Sequence, residues 1–356
     1  MPVPNDLAGG GLGEVIAAGV CGSDVSLFRD GTITRRLGPN ILGHENVVRI
    51  VDADDELRRR WNVETGDRVY VEEYAPCGWC QACRSGRYIS CPRTSYTSAH
   101  FIRYGRTPLA QEPGLWGGFA DLLYLHPDAR LHRLPPDLPN QVAVLATPIA
   151  NGLRWIGEIA GGHQGRGVVV FGPGAHGLGC VVAARHLGAS PVILVGTPTD
   201  STRLRTGRQL GADITLDSES DDIVAEVATA TAGELADVVI DTTGVPAVCA
   251  IAVSVAGDGA RVVIAGNPDA ATSAPFPVDT LARRQISLIG VRGHDGESIE
   301  AAIALLSTRS ADVAPFASDA VALGDVGGLL HDLASGTADR PAHYYVAPGG
   351  HHTVSG

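Results

Sequence analysis

A chain of 356 residues has room for two domains of ordinary size or one unusually large one, and 44% hydrophobic with 19% charged residues describes a globular protein with a true core. The formal net charge of −12 argues against a partner chosen for its phosphate backbone, because non-specific nucleic-acid affinity comes mostly from basic side chains neutralising phosphates. The sequence holds no lysine, which excludes Schiff-base chemistry and a phosphate-loop lysine, since both need a side-chain amine. No apolar run is long enough to span a bilayer, and Met1-Pro2-Val3-Pro4-Asn5-Asp6 has neither a cationic nor an apolar leader, so a cytoplasmic location is expected. Seven cysteines, an odd count with four of them close together, fit metal binding in a reducing compartment rather than a disulfide framework.

From about residue 1 to 145 the pattern is irregular, with short β-rich runs such as Arg68-Val69-Tyr70-Val71-Glu72 between Gly, Pro and Cys clusters. Cys21-Gly22-Ser23-Asp24 and Gly43-His44-Glu45-Asn46 each place one metal-ligand candidate in a glycine-bearing turn. A catalytic zinc takes about three protein donors and keeps one position open for a substrate oxygen, on which it acts as a Lewis acid. Ser23, two residues beyond Cys21, is placed to relay the substrate proton, and Asp24 is suited to bind the free nitrogen of His44. Taken singly, Cys21 reads as a small buried residue and His44 as a satisfied core histidine. Their conjunction with a four-cysteine loop and a dinucleotide-binding pattern in the same chain reverses that reading.

Cys77-Gly78-Trp79-Cys80-Gln81-Ala82-Cys83 and then Cys91 supply four thiolates in one loop. Four soft donors close tetrahedrally around zinc and leave no open position, which marks a structural site. An iron–sulfur cluster uses similar spacing, but the neighbouring motifs favour zinc.

From about 150 to 292 short apolar runs alternate with Ala/Leu-rich stretches: Val168-Val169-Val170-Phe171, Val192-Ile193-Leu194-Val195, Val238-Val239-Ile240, Val262-Val263-Ile264 and Ile286-Ser287-Leu288-Ile289. Continuous apolar strands alternating with helices predict a parallel sheet covered on both faces. Gly172-Pro173-Gly174-Ala175-His176-Gly177 follows the first strand and opens a helix over Leu178 to Leu187. Gly172 permits the turn, Gly174 admits the pyrophosphate to the backbone, Gly177 lets helix and strand pack, and the helix N-terminus faces the phosphates. The second strand ends in Gly196-Thr197-Pro198-Thr199-Asp200, with glycine where an acid for the ribose hydroxyls is expected. Arg203 and Arg205 follow and suit a 2′-phosphate, so NADP is slightly favoured over NAD; the other reading has them on a solvated helix face with Asp200 as its cap. The tail after Arg292 shows a helical pattern through Ile299, Ala302, Ile303 and Leu306, then a strand-like His343-Tyr344-Tyr345-Val346.

These motifs, with Gly19-Val20-Cys21-Gly22-Ser23-Asp24, Gly43-His44-Glu45, Gly66-Asp67-Arg68-Val69 and Gly117-Gly118-Phe119-Ala120, resemble the zinc-containing medium-chain dehydrogenase/reductases, the alcohol, sorbitol and threonine dehydrogenase group. The resemblance covers almost the whole chain. It implies an α/β protein with a GroES-like, mostly-β catalytic domain (residues 1–146 and 293–356) and an inserted Rossmann domain with a doubly wound parallel sheet (147–292). It implies one structural zinc on Cys77, Cys80, Cys83 and Cys91, one catalytic zinc on Cys21 and His44, NAD or NADP, a small alcohol or ketone substrate, and a homodimer or homotetramer. Cofactor contacts are expected from Gly172, Gly174, His176, Gly177, Gly196, Thr197, Arg203, Thr243, Gly266, Val291 and Arg292. Arg292 meets cofactor or an anionic substrate group, or makes a structural ion pair instead. Phe28, Trp116, Thr147 and Asn151 are substrate-pocket candidates, the last two one helical turn apart on the same side.

Three departures stand out. Where the family offers an acid or cysteine before the Rossmann domain, this chain reads Leu145-Ala146-Thr147-Pro148-Ile149. A neutral hydroxyl is a poor zinc ligand, so the third position falls to Glu45, directly or through water; otherwise the catalytic zinc is weak or absent. Cys21 arrives early, leaving either a truncated strand around Glu14-Val15-Ile16 or a start missed upstream. His176 replaces a more usual apolar residue, touching the pyrophosphate or standing as a partly exposed spectator. Oxidation of a secondary alcohol or polyol, or the reverse, is the leading expectation. A zinc-free reductase or lyase-like enzyme comes second, and a non-catalytic dinucleotide sensor or a zinc-loop module that binds a macromolecule third.

Overall fold

The computed structural model describes residues 6–31, 38–95, 98, 101–162, 164–266, 273, 277–335, 341 and 343–349. Among the described residues thirteen strands form two sheets. The first uses β1 (Gly11–Val20), β2 (Glu45–Asp52), β3 (Arg68–Val71), β4 (Leu122–Leu125) and β5 (Leu131–Arg133) from the N-terminal part. The second uses β6 (Val168–Phe171), β7 (Val192–Gly196), β8 (Ile214–Asp217), β9 (Ala236–Asp241), β10 (Ala256–Ile264) and β11 (Ser287–Gly290). The chain then returns to the first sheet with β12 (Ala320–Val321) and β13 (Tyr344–Val346).

Strand β1 is the spine of the first sheet. It pairs antiparallel with β2, β4 and β13, and β3 and β5 extend the β2 side. The stretch around Glu14-Val15-Ile16 is therefore a full ten-residue strand, and the expectation of a truncated one is corrected. Its length follows from three partners saturating different parts of its backbone.

The second sheet is all parallel, in the order β11-β10-β9-β6-β7-β8. Apolar side chains on both faces are what a doubly covered sheet demands: Val168 and Val170 enter one core, Val169 and Phe171 the other. The strand order reverses direction between β6 and β9, which in an open α/β sheet is where a crevice forms outside the carboxyl ends of the strands. The glycine turn after β6 lies at that switch, so topology and motif agree on one place.

Two chain crossings join the sheets. The first is the wholly buried helix Ala146–Gly152, continued by a π-helical stretch, Leu153–Ile159. It lies in backbone contact with the helix Ala175–His186: a Cβ on Gly179 would stand 2.2 Å from the Pro148 carbonyl oxygen. One hydrophobic core runs through this crossing, from Ala17, Val47 and Tyr70 to Val168, Leu178 and Ile303. The second is the return after β11, where the Trp155 and Arg154 side chains both donate to the Gly293 carbonyl. Among the described residues no helix is long and apolar enough to cross a membrane.

Candidate active site

Cys21 closes β1 and caps the helix Gly22–Asp30. Its backbone N–H donates to Asp24 Oδ2 at 3.1 Å while its side chain accepts from the backbone of Asp24, a reciprocal cap that fixes the thiol at a helix N-terminus. Asp24, fully buried, also accepts from Gly43 N at 3.3 Å and lies 3.1 Å from His44 Nδ1. The carboxylate thus holds His44 by one nitrogen and leaves Nε2 for the site, 3.4 Å from Ser23 Oγ. Glu45 opens β2 behind them. Its Oε2 accepts from His343 Nε2 at 3.0 Å, and its Oε1 is buried without a partner. No room is spared around that carboxylate: a Cβ on Gly19 would stand 2.3 Å from Oε2.

Donor atoms of Cys21, His44 and Glu45 lie within 4.8 Å of one another, all buried. A buried carboxylate oxygen lacking any hydrogen-bond donor is costly unless a cation meets it, so this set fits a metal ion. The Cys21 thiol follows the same logic. Burial and the Glu45 charge push it up, but hydrogen bonds with His176 and His44 prevail and bring it to about 6, which makes the thiolate available near neutrality.

The four cysteines of the loop converge separately, their sulfurs also within 4.8 Å. Cys77 and Cys83 sulfurs are 3.9 Å apart and Cys80 and Cys83 3.4 Å, near the edge of a tetrahedron with zinc–sulfur bonds of about 2.3 Å. Backbone N–H groups of Cys77, Cys80 and Cys83 point at sulfurs of the same loop. Against burial, the N–H groups of Cys80 and Trp79 lower Cys77 to about 6, whereas burial and the hydrogen bond with Cys80 push Cys83 up to about 12. Four thiols so close ionise together only around a cation, and this set fits one.

Thr147 stands outside both clusters. Its hydroxyl is 2.7 Å from the Tyr70 phenol and 3.3 Å from His294 Nε2. Asn151, one turn on, places its amide nitrogen 3.2 Å from His176 Nδ1. Trp116 is core rather than pocket: it is 1% exposed, its indole N–H donates to the Gln111 carbonyl, and it packs on Tyr104 and Tyr124. Phe28 is 43% exposed on the first helix.

In the dinucleotide turn Gly172 adopts φ +93°, and Thr242 Oγ1 donates to its carbonyl and to that of Phe171. A Cβ on Gly177 would stand 1.8 Å from the Gly172 oxygen, whereas one on Gly174 would meet nothing within 4 Å. The turn is closed on the protein side and open on the other, a fitting seat for a pyrophosphate. Gly196 abuts Pro173 and Asp200, and Asp200 accepts from Thr197 N at 3.1 Å and Thr197 Oγ1 at 2.7 Å. Arg203 is engaged by Asp200 and by the Pro341 carbonyl, and Arg205 by Thr202. Thr243 donates twice to Asp241, Gly266 leaves no space for a side chain beside Gly244, and Val291 N donates to Ile264. Arg292 donates to the Ile89 backbone carbonyl of the cysteine loop at 2.7 Å, a hydrogen bond to main chain and not the expected ion pair.

Sequence reasoning misses four residues here. Arg106 donates to Ser23 Oγ at 2.9 Å and is held with Arg103 by Glu73. His343 carries Glu45. None of the four has a local motif. His176 reads from the sequence as a phosphate-side residue or a spectator, whereas its Nε2 lies 3.8 Å from Cys21 Sγ.

Comparison with known proteins gives the family of the chain. A family model described as zinc-binding dehydrogenase matches residues 175–308, and one described as alcohol dehydrogenase GroES-like domain matches residues 12–136. The chain is 36% identical over 344 residues to a probable alcohol dehydrogenase of Mycobacterium tuberculosis, covering 95% of this chain and 91% of that protein. It is 32% identical over 244 residues to an erythritol/L-threitol dehydrogenase of Mycolicibacterium smegmatis, covering 66% of this chain and 63% of that one. Among solved structures, an alcohol dehydrogenase of Thermotoga maritima superposes with a TM-score of 0.85 at 25% identity, over 98% of this chain and 94% of that chain.

Proposed function

The chain belongs to the zinc-containing medium-chain dehydrogenases, and on that footing we propose that it moves hydride between a secondary alcohol or polyol, or the matching ketone, and NAD or NADP. The observation that carries the zinc-dependent form of this reading is the buried meeting of Cys21, His44 and Glu45, with Glu45 Oε1 unpartnered. We take residues 1–146 with 293–356 as the catalytic part and 147–292 as the dinucleotide-binding part.

Zinc held by Cys21, His44 and Glu45 would supply Lewis acidity to the substrate oxygen, and a nicotinamide dinucleotide on the Gly172–Gly177 turn would exchange the hydride. The chain's own groups do the rest. Asp24 keeps His44 in one tautomer with Nε2 turned inward. Ser23 Oγ, between His44 Nε2 and the Arg106 guanidinium and only half-buried, takes the substrate hydroxyl proton while its own proton leaves to bulk water. Arg106 orients that hydroxyl, Glu73 fixes Arg106, and His343 fixes Glu45. Ser23 Oγ lies 3.4 Å from His44 Nε2, which is why the relay is given to it. The likeness to an erythritol/L-threitol dehydrogenase puts short polyols first among substrates to try.

The test is metal content per chain, measured with a panel of secondary alcohols and polyols and both cofactors. We expect two zincs, falling to one in Cys21→Ala, together with loss of alcohol-dependent cofactor reduction. One zinc that the substitution does not remove would sink the zinc mechanism and leave a zinc-free reductase of the same family.

A further inference from the structure

His176 belongs to the dinucleotide turn, yet its Nε2 reaches across the cleft to within 3.8 Å of Cys21 Sγ. Two donors of one tetrahedral zinc, with bonds of about 2.3 Å to sulfur and 2.0–2.1 Å to nitrogen, stand roughly 3.6 Å apart. The ring is held in place. Its Nδ1 lies 3.2 Å from the Asn151 amide, and the Trp155 ring meets it edge-on with centroids 5.7 Å apart. Asn151 Oδ1 is meanwhile buried without a partner. Turned end for end, that amide gives an oxygen to His176 Nδ1–H, which leaves the Nε2 lone pair facing the thiolate. Thr147 offers nothing to the cluster, since its hydroxyl is engaged by Tyr70 and His294.

We propose that His176 is a donor to the same metal as Cys21, so that the catalytic metal is held from both sides of the cleft. Cys21, His44 and Glu45 come from the first sheet and its flanking turns, and His176 from the turn that seats the cofactor. The proposal rests on the zinc reading of the site. His176 stands outside the group of donor atoms that lie within 4.8 Å of one another, so it holds the metal in exchange with one of those donors and not in a closed cage of four. It is the donor carried by the turn where the dinucleotide docks. Metal retention and cofactor binding are then linked through a single side chain.

The experiment compares wild type with His176→Leu in two metal readouts that need no turnover. These are release of zinc to a colorimetric chelator and the visible absorption of the cobalt-substituted protein. Zinc release from the cysteine loop serves as the internal check that the variant is folded. We expect the second zinc to leave 10- to 100-fold faster in His176→Leu, and the cobalt bands to shift as a nitrogen donor is lost, with loop zinc unchanged. Should the leucine variant fail to fold, Asn151→Ala removes the ring's anchor instead and is expected to speed release several-fold with the same sign of band shift. Two zincs with wild-type release and wild-type bands in the folded variant would overturn this inference and leave the zinc reading standing. A single zinc in wild type, indifferent to Cys21→Ala, would overturn both.

Discussion

Asp24 is the residue on which the site depends without touching its chemistry. Three groups from two segments end on its carboxylate: the Cys21 backbone, the Gly43 backbone and the His44 ring. Asp24→Asn keeps the volume but removes the charge and turns one acceptor into a donor. We expect it to weaken the second zinc by about 10- to 100-fold while leaving the loop zinc in place, as read by competitive chelation. Unaltered affinity would reduce Asp24 to a folding role. At this scale the sequence is legible wherever partners sit in one short motif: Cys21 with Ser23 and Asp24, His44 with Glu45, and the four loop cysteines. It is opaque where partners are remote. His343 is 298 residues from Glu45, and nothing local to either announces the pair. Trp116 misleads for a different reason, since an aromatic beside glycines looks the same whether it lines a pocket or fills a core.

Among the elements, the crossing of Ala146–Gly152 with Ala175–His186 sets the distance between the two halves of the cleft. Glycine in a helix interior ordinarily costs up to about 1 kcal/mol, so replacing it with alanine should stabilise. At Gly179 the sign reverses, because the new methyl would stand 2.2 Å from the Pro148 oxygen and 2.5 Å from its carbonyl carbon. We expect Gly179→Ala to lower stability by about 1–3 kcal/mol in urea unfolding; a more stable variant would show that the helices slide freely. Parallel strands are readable because burial on both faces writes a continuous apolar run, and β6 matches its predicted span. The short strands of the first sheet are harder, since three or four residues carry no period. Strand β1 owes its length to partners supplied by distant segments.

For the molecule as a whole, acid sensitivity follows in part from a half-buried histidine held neutral. Burial pushes His126 down to about 4, with Arg93 adding to it, from an ordinary 6.5, and its Nδ1 accepts the Asp128 N–H at 3.0 Å. A histidine depressed in the folded state favours folding fully above the unfolded value and loses that contribution as pH falls from 6.5 towards 4. We expect the thermal midpoint to decline over that window, and His126→Asn, which keeps an acceptor for Asp128, to flatten the decline. Parallel slopes in the two proteins would assign the acid limb to other groups.

The bond from Arg292 to the Ile89 carbonyl has a meaning in descent as well as in mechanics. It ties the chain's return from the parallel sheet to the cysteine loop, two segments that otherwise share no strand or helix. A lineage that trimmed the loop would take away the acceptor at the crossing along with the four thiols. Selection would then bear on position 292, some two hundred residues downstream. Loop and arginine are then expected to persist or vanish together, although the genetic text writes them far apart.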